Sequence, residues 1–174
     1  MRPPGPGALP RRVESGLPVA MERVGHEVMA SLTETLSNDT RKRTVIEDCC
    51  SLIDDEVADK GGLTGLAIKA GYAAVKGIKP GFIKHAVEDL LPEFSQALDP
   101  IYQEARQGNK PIAAHFSANS SRAAGALLAI TDAKVRHSKS GVIKGTYEKL
   151  RGTAMKNVEA AVPRLGALIA KHGG

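Results

Sequence analysis

From Met29 onward, apolar residues return every three to four positions, and no stretch keeps the strict alternation of a half-buried strand. That regularity restricts the chain to helices. Composition narrows the packing further: there is no Trp, with only three Tyr and three Phe. Alanine and aliphatic side chains must fill the interior, which favours closely packed helices over a sheet sandwich. At 174 residues the chain is long enough to bury a core of its own. The expectation is a compact all-α domain.

Capping and breaking residues divide the pattern. A short helix opens near Ser31, and Asn38, Asp39 and Thr40 offer N-caps for a long amphipathic helix reaching about Asp59. Gly61 and Gly62 stop it, and Thr64 starts a helix that ends at Gly77 before Pro80-Gly81. The next covers roughly Phe82 to Leu91, with Pro92 restarting or kinking it, and Asp99-Pro100 reads as cap plus first turn of a helix to about Gln107. Gly108-Asn109-Lys110-Pro111 is the clearest break. Helices near Ile112–Ser117, Ser121–Arg136, Val142–Gly152 and Ala154–Lys171 complete the expectation.

Two blocks of sequence occur twice. Ile68-Lys69-x-x-Tyr72-x-x-Val75-Lys76-Gly77 returns as Ile143-Lys144-x-x-Tyr147-x-x-Leu150-Arg151-Gly152, and Val87-Glu88-x-x-Leu91-Pro92-x-Phe94 returns as Val158-Glu159-x-x-Val162-Pro163-x-Leu165. The offsets are 75 and 71, so a four-residue insertion or deletion separates the pairs. Matching blocks in the same order suggest two similar helical halves, about 40–107 and 111–172, produced by internal duplication. Gly77 and Gly152 would end equivalent helices, Pro92 and Pro163 would mark equivalent starts or kinks, and Tyr72 and Tyr147 would be half-buried with a partner for each hydroxyl.

The net charge of +5 is unevenly spread. Residues 29–133 hold 11 Lys and Arg against 14 Asp and Glu, whereas residues 134–174 hold nine against two. The acidic extreme is the run Glu47, Asp48, Asp54, Asp55, Glu56 and Asp59. Either the basic segment 134–171 is a free surface for nucleic acid or an anionic membrane, or the acidic helix packs beside it. Opposite sectors of one small domain favour the packed arrangement. Binding to nucleic acid or anionic lipid is then expected to be weak and non-specific, the more so because Tyr147 is the only aromatic available there to stack on bases.

Catalytic and metal motifs do not stand out. Gly61-Gly62-Leu63-Thr64-Gly65 lacks the P-loop spacing and a preceding strand, so it reads as helix punctuation. Asp48, Asp55 and Asp59 form one stripe with no partner histidine on the same helix, and His85, His115, His137 and His172 show no metal-ligand spacing. Cys49 and Cys50 are neighbours; Cys49 falls on an apolar helix face and reads as a reduced thiol in a cytosolic protein. No apolar run is long enough to span a membrane. Met1–Val28 holds five of the ten prolines and no continuous apolar core, and reads as a disordered Pro-rich extension, with Met29 a plausible native start.

The segments Met29–Leu36, Leu52–Lys60, Lys79–Ile83, Leu90–Phe94, Thr131–Ala133 and Pro163–Leu168 together resemble an uncharacterised bacterial family, a domain of unknown function best known from actinobacteria and myxobacteria. The resemblance runs from about Met29 to His172, and it implies no activity and no site residue. The reading is therefore a non-enzymatic binding or structural module of the bacterial cytosol, without metal or cofactor, with a protein partner or a second copy as candidate ligands. An enzyme whose site is assembled from dispersed residues is a further alternative. One candidate ligand site follows from the repeat: Lys69 with Tyr72, and Lys144 with Tyr147, place an ammonium beside a phenol on each half, suited to an anion with an apolar body.

Overall fold

The computed structural model describes residues 29–174, which form seven helices and no strand. The expectation for Met1–Val28 lies outside the described residues. The first helix, α1 (Leu32–Leu36), carries a full capping box in which Ser31 and Glu34 bond each other's backbone N–H. The chain then forms α2 (Asp39–Asp59), capped by the Asn38 side chain, α3 (Gly62–Lys76), α4 (Phe82–Gln107), α5 (Ile112–Ala118), α6 (Ser120–His137) and α7 (Gly141–Gly173).

Three expected interruptions are missing, at Pro92, Pro100 and Gly152. α4 runs unbroken through Pro92 and Pro100, and α7 runs unbroken through Gly152 and Pro163. A proline removes one backbone hydrogen bond and crowds the preceding turn. Here all three prolines stand on the exposed side of their helices, where the freed carbonyls can turn to water while the apolar face stays packed. Asp99 was expected to cap a helix beginning at Pro100. It does cap a helix, but a different one: its carboxylate accepts the Leu32 N–H at 2.6 Å, at the start of α1.

Polar pairs set the directions of the long helices. Asp48 meets Lys171 and His172, while Glu56 and Asp59 meet Arg164, so α2 and α7 are antiparallel. Tyr147 and Arg151 reach Asp132 while Ser121 donates to Glu159, which makes α6 antiparallel to α7. Lys134–Glu93 and Arg122–Glu104 make α6 antiparallel to α4 as well. The four helices close a ring in the order α2, α4, α6, α7. Across its diagonal, no Cα of α4 comes within 8 Å of a Cα of α7. α5 lies against α7, where Gly166 allows the approach: a Cβ there would stand 2.9 Å from the Phe116 Cβ and 3.2 Å from the Ala113 carbonyl.

The repeated blocks share their bonding and differ in their helix ends. Tyr72 donates to Asp54 of α2 at 2.5 Å with Lys76 beside it, and Tyr147 donates to Asp132 of α6 at 2.5 Å with Arg151 beside it. Gly71 of α3 also packs on Thr146 of α7, its own counterpart in the repeat. Gly77 ends α3, but Gly152 ends nothing, so the expected equivalence of those two glycines fails. The difference of four residues between the offsets falls in the turn 77–81, where Pro80 and Gly81, with φ +72°, separate α3 from α4. Without such a turn, the second copy stays one helix.

The ion pairs give the fold an acid limit. Glu104 sits between Arg122 and His115, and hydrogen bonds from the guanidinium and then the imidazole pull its carboxyl down to about 2. Lys171 and His172 lower Asp48 in the same way. A depressed carboxyl pKa means that the unfolded chain binds more protons, so stability falls as pH drops through the interval between the unfolded and folded values. For Glu104 that window runs from roughly 4.3, the ordinary glutamate value, to about 2. The midpoint of thermal unfolding, measured from pH 6 downward, is expected to fall in that window, and more gently in Glu104→Gln. Equal slopes in the two proteins would remove Glu104 from the account.

Candidate functional site

The space left between α4 and α7 is a cavity of about 280 Å³. Its wall includes Leu52 and Ile53 of α2, Val87, Leu91 and Phe94 of α4, and Val158, Val162 and Leu165 of α7. No polar atom contributes to its surface. The one hydroxyl in the lining, that of Ser95, is turned away and donates to the Leu91 carbonyl at 2.6 Å. Along α4 the wall extends from Ile83 to Leu98, about 22 Å at the helical rise, so the cavity is elongated. One end is closed by buried residues, Leu36, Leu98, Leu168 and Ile169. Towards the other, Ile53, Ile83, Ala86 and Val158 are only half-buried.

The apolar positions of the second repeated block all belong to this wall. Val87, Leu91 and Phe94 come from the first copy, and Val158, Val162 and Leu165 from the second. The repeated block therefore picks out residues that face one cavity, although nothing in their identity sets them apart from ordinary core.

The four residues singled out from the repeat stand elsewhere. Lys69 and Lys144 are exposed, Tyr72 and Tyr147 are half-buried, and none of the four lines the cavity. The phenols are held by different helices and each is engaged by a carboxylate. Burial, then the Asp132 hydrogen bond, pushes Tyr147 up to about 12; the same causes, with Asp54, push Tyr72 higher still. A carboxylate at each hydroxyl works against an anion binding there.

Residues 32–173 match a family of unknown function, DUF6918. The chain belongs to that family. No curated protein and no solved structure matches it.

In this DUF6918 member four of the nine Lys and Arg of the basic segment are engaged in ion pairs among the described residues, while Arg136, Lys139, Lys144, Lys149 and Lys156 are not. Arg164 and Lys171 are paired with α2, Arg151 with Asp132, and Lys134 with Glu93. The acidic helix packs beside the basic one, as the charge pattern favoured, and two members of the expected acidic stripe, Asp48 and Asp59, take part. Cys49 is on the cavity wall, and burial, with Cys50 and Asp48 adding to it, pushes its thiol up to about 12. Both cysteines are free thiols. No helix among the described residues is long and apolar enough to cross a membrane.

Proposed function

We propose that the protein is a non-enzymatic binding module of the bacterial cytosol that holds an apolar molecule in the cavity between α4 and α7. The observation that carries this reading is the wholly apolar, one-ended wall. An empty space lined by hydrocarbon forfeits dispersion contacts on every side, and an apolar guest restores them. At about 280 Å³ the space is about twice the ~150 Å³ of an engineered cavity that admits benzene, which scales to on the order of ten carbon atoms. Its length favours a single extended alkyl chain over a compact ring system. The only titratable group in the wall is the Cys49 thiol, protonated at neutral pH, so the lining offers binding surface rather than acid–base chemistry. Unpaired vicinal thiols are in keeping with a reducing compartment.

The test is thermal unfolding with straight-chain alcohols of increasing length. The midpoint should rise with chain length up to about decanol. A ligand at 100 times its Kd contributes about 2.7 kcal/mol. Ala161→Trp and, separately, Ala86→Phe would place a ring in the wall and should abolish the rise while leaving the fold intact. No rise with any chain length in the unaltered protein would overturn the reading.

A further inference from the structure

The geometry points to α3 as a docking helix for an anionic bilayer surface. α3 is apolar on both faces yet stands on the outside of the fold. Its inner face is Ile68, Gly71, Tyr72 and Val75, which are half-buried, with Gly65 buried. Its outer face is Leu63, Leu66, Ala67, Ala70, Ala73 and Ala74, all exposed. Leu63 and Leu66 are 87% and 65% exposed, the highest values among the large hydrophobic residues described. A helix apolar all round is ordinarily covered.

Charge selects the cover. No Asp or Glu occurs from Gly61 to Val87, whereas Lys69, Lys76, Lys79 and Lys84 do. Lys60 and Lys69 flank Leu63 and Leu66 in one shallow surface depression. Lys69, Lys79 and Lys84 form no ion pair among the described residues. The neighbouring carboxylates of α2 are mostly engaged: Asp54 by Tyr72 and Lys76, Glu56 by Lys60 and Arg164, and Asp59 by Arg164. Of Asp54, Asp55, Glu56 and Asp59, Asp55 alone lacks an ion pair among the described residues. A second copy docked face to face about a two-fold axis would bring equivalent lysines toward each other. A leaflet of anionic lipid receives them, and it also takes the leucines into the boundary between headgroups and acyl chains.

This inference does not depend on the cavity binding a ligand. It is tested by flotation of the full chain with vesicles of phosphatidylcholine alone and of phosphatidylcholine with an equal part of phosphatidylglycerol. Binding is expected only to the anionic vesicles, weakening as salt rises from about 0.05 to about 0.5 M. Leu63→Ser with Leu66→Ser should lower it by roughly tenfold or more, and Lys69→Glu with Lys79→Glu should remove it. These side chains are exposed, so helical content and melting midpoint should be unchanged in both variants. Three results would overturn the assignment: no binding to anionic vesicles, binding indifferent to the leucine changes, or a concentration-dependent dimer that the leucine changes dissolve.

Discussion

Phe116→Ala should destabilise the fold by about 3–5 kcal/mol, the range for emptying a fully buried aromatic site. Phe116 is 0% exposed and is the one buried residue of α5. A seven-residue helix has no stability of its own and exists only while its packed side chain holds it. Its Cβ sits where α5 crosses α7 at Gly166, so the substitution removes the anchor at the point of closest approach. Urea unfolding followed by circular dichroism reads the change. A loss below about 1 kcal/mol would place Phe116 in a loose site, contrary to its burial.

Two glycines of α7 should respond in opposite directions. At Gly166 a side chain would meet Phe116 at 2.9 Å and the backbone of Ala113 at 3.2 and 3.3 Å, whereas at Gly152 nothing lies within 4 Å. Gly166→Leu therefore forces α5 away and is expected to cost about 3 kcal/mol or more. Gly152→Ala meets open space inside a helix and should stabilise by about 0.5–1 kcal/mol, since glycine is the more flexible residue in the unfolded chain. Melting midpoints of the two variants shifted in the same direction would contradict the helix packing described above.

Local signals were legible wherever the backbone obeyed its own residues. A helix start near Ser31 and a cap among Asn38, Asp39 and Thr40 placed α1 and α2, and Gly61 with Gly62 placed the break after Asp59, because those signals act within a few residues. The reading failed at Pro92, Pro100 and Gly152, where long-range packing outweighs a local preference against helix. Asp99 shows the same limit from the other side: its chemistry as a cap was readable, but its client lies 67 residues away. The cavity escaped for a further reason. Val87 and Val158 look identical in sequence whether a partner fills the space before them or leaves it empty, and only the separation of α4 from α7 distinguishes the two.

The turn at 77–81 sets α3 apart from α7, the helices that carry the two occurrences of the first block. α7 is a single strut of 33 residues, and its direction is fixed at many points along its length. α3 instead begins at Gly62, with φ +68°, and is followed by the turn that ends at Gly81, with φ +72°. Its grip on the fold is the Gly71 seat on Thr146, with Tyr72 and Lys76 on Asp54. Leu63 and Leu66, the most exposed large hydrophobic residues described, stand on this short helix and not on the strut.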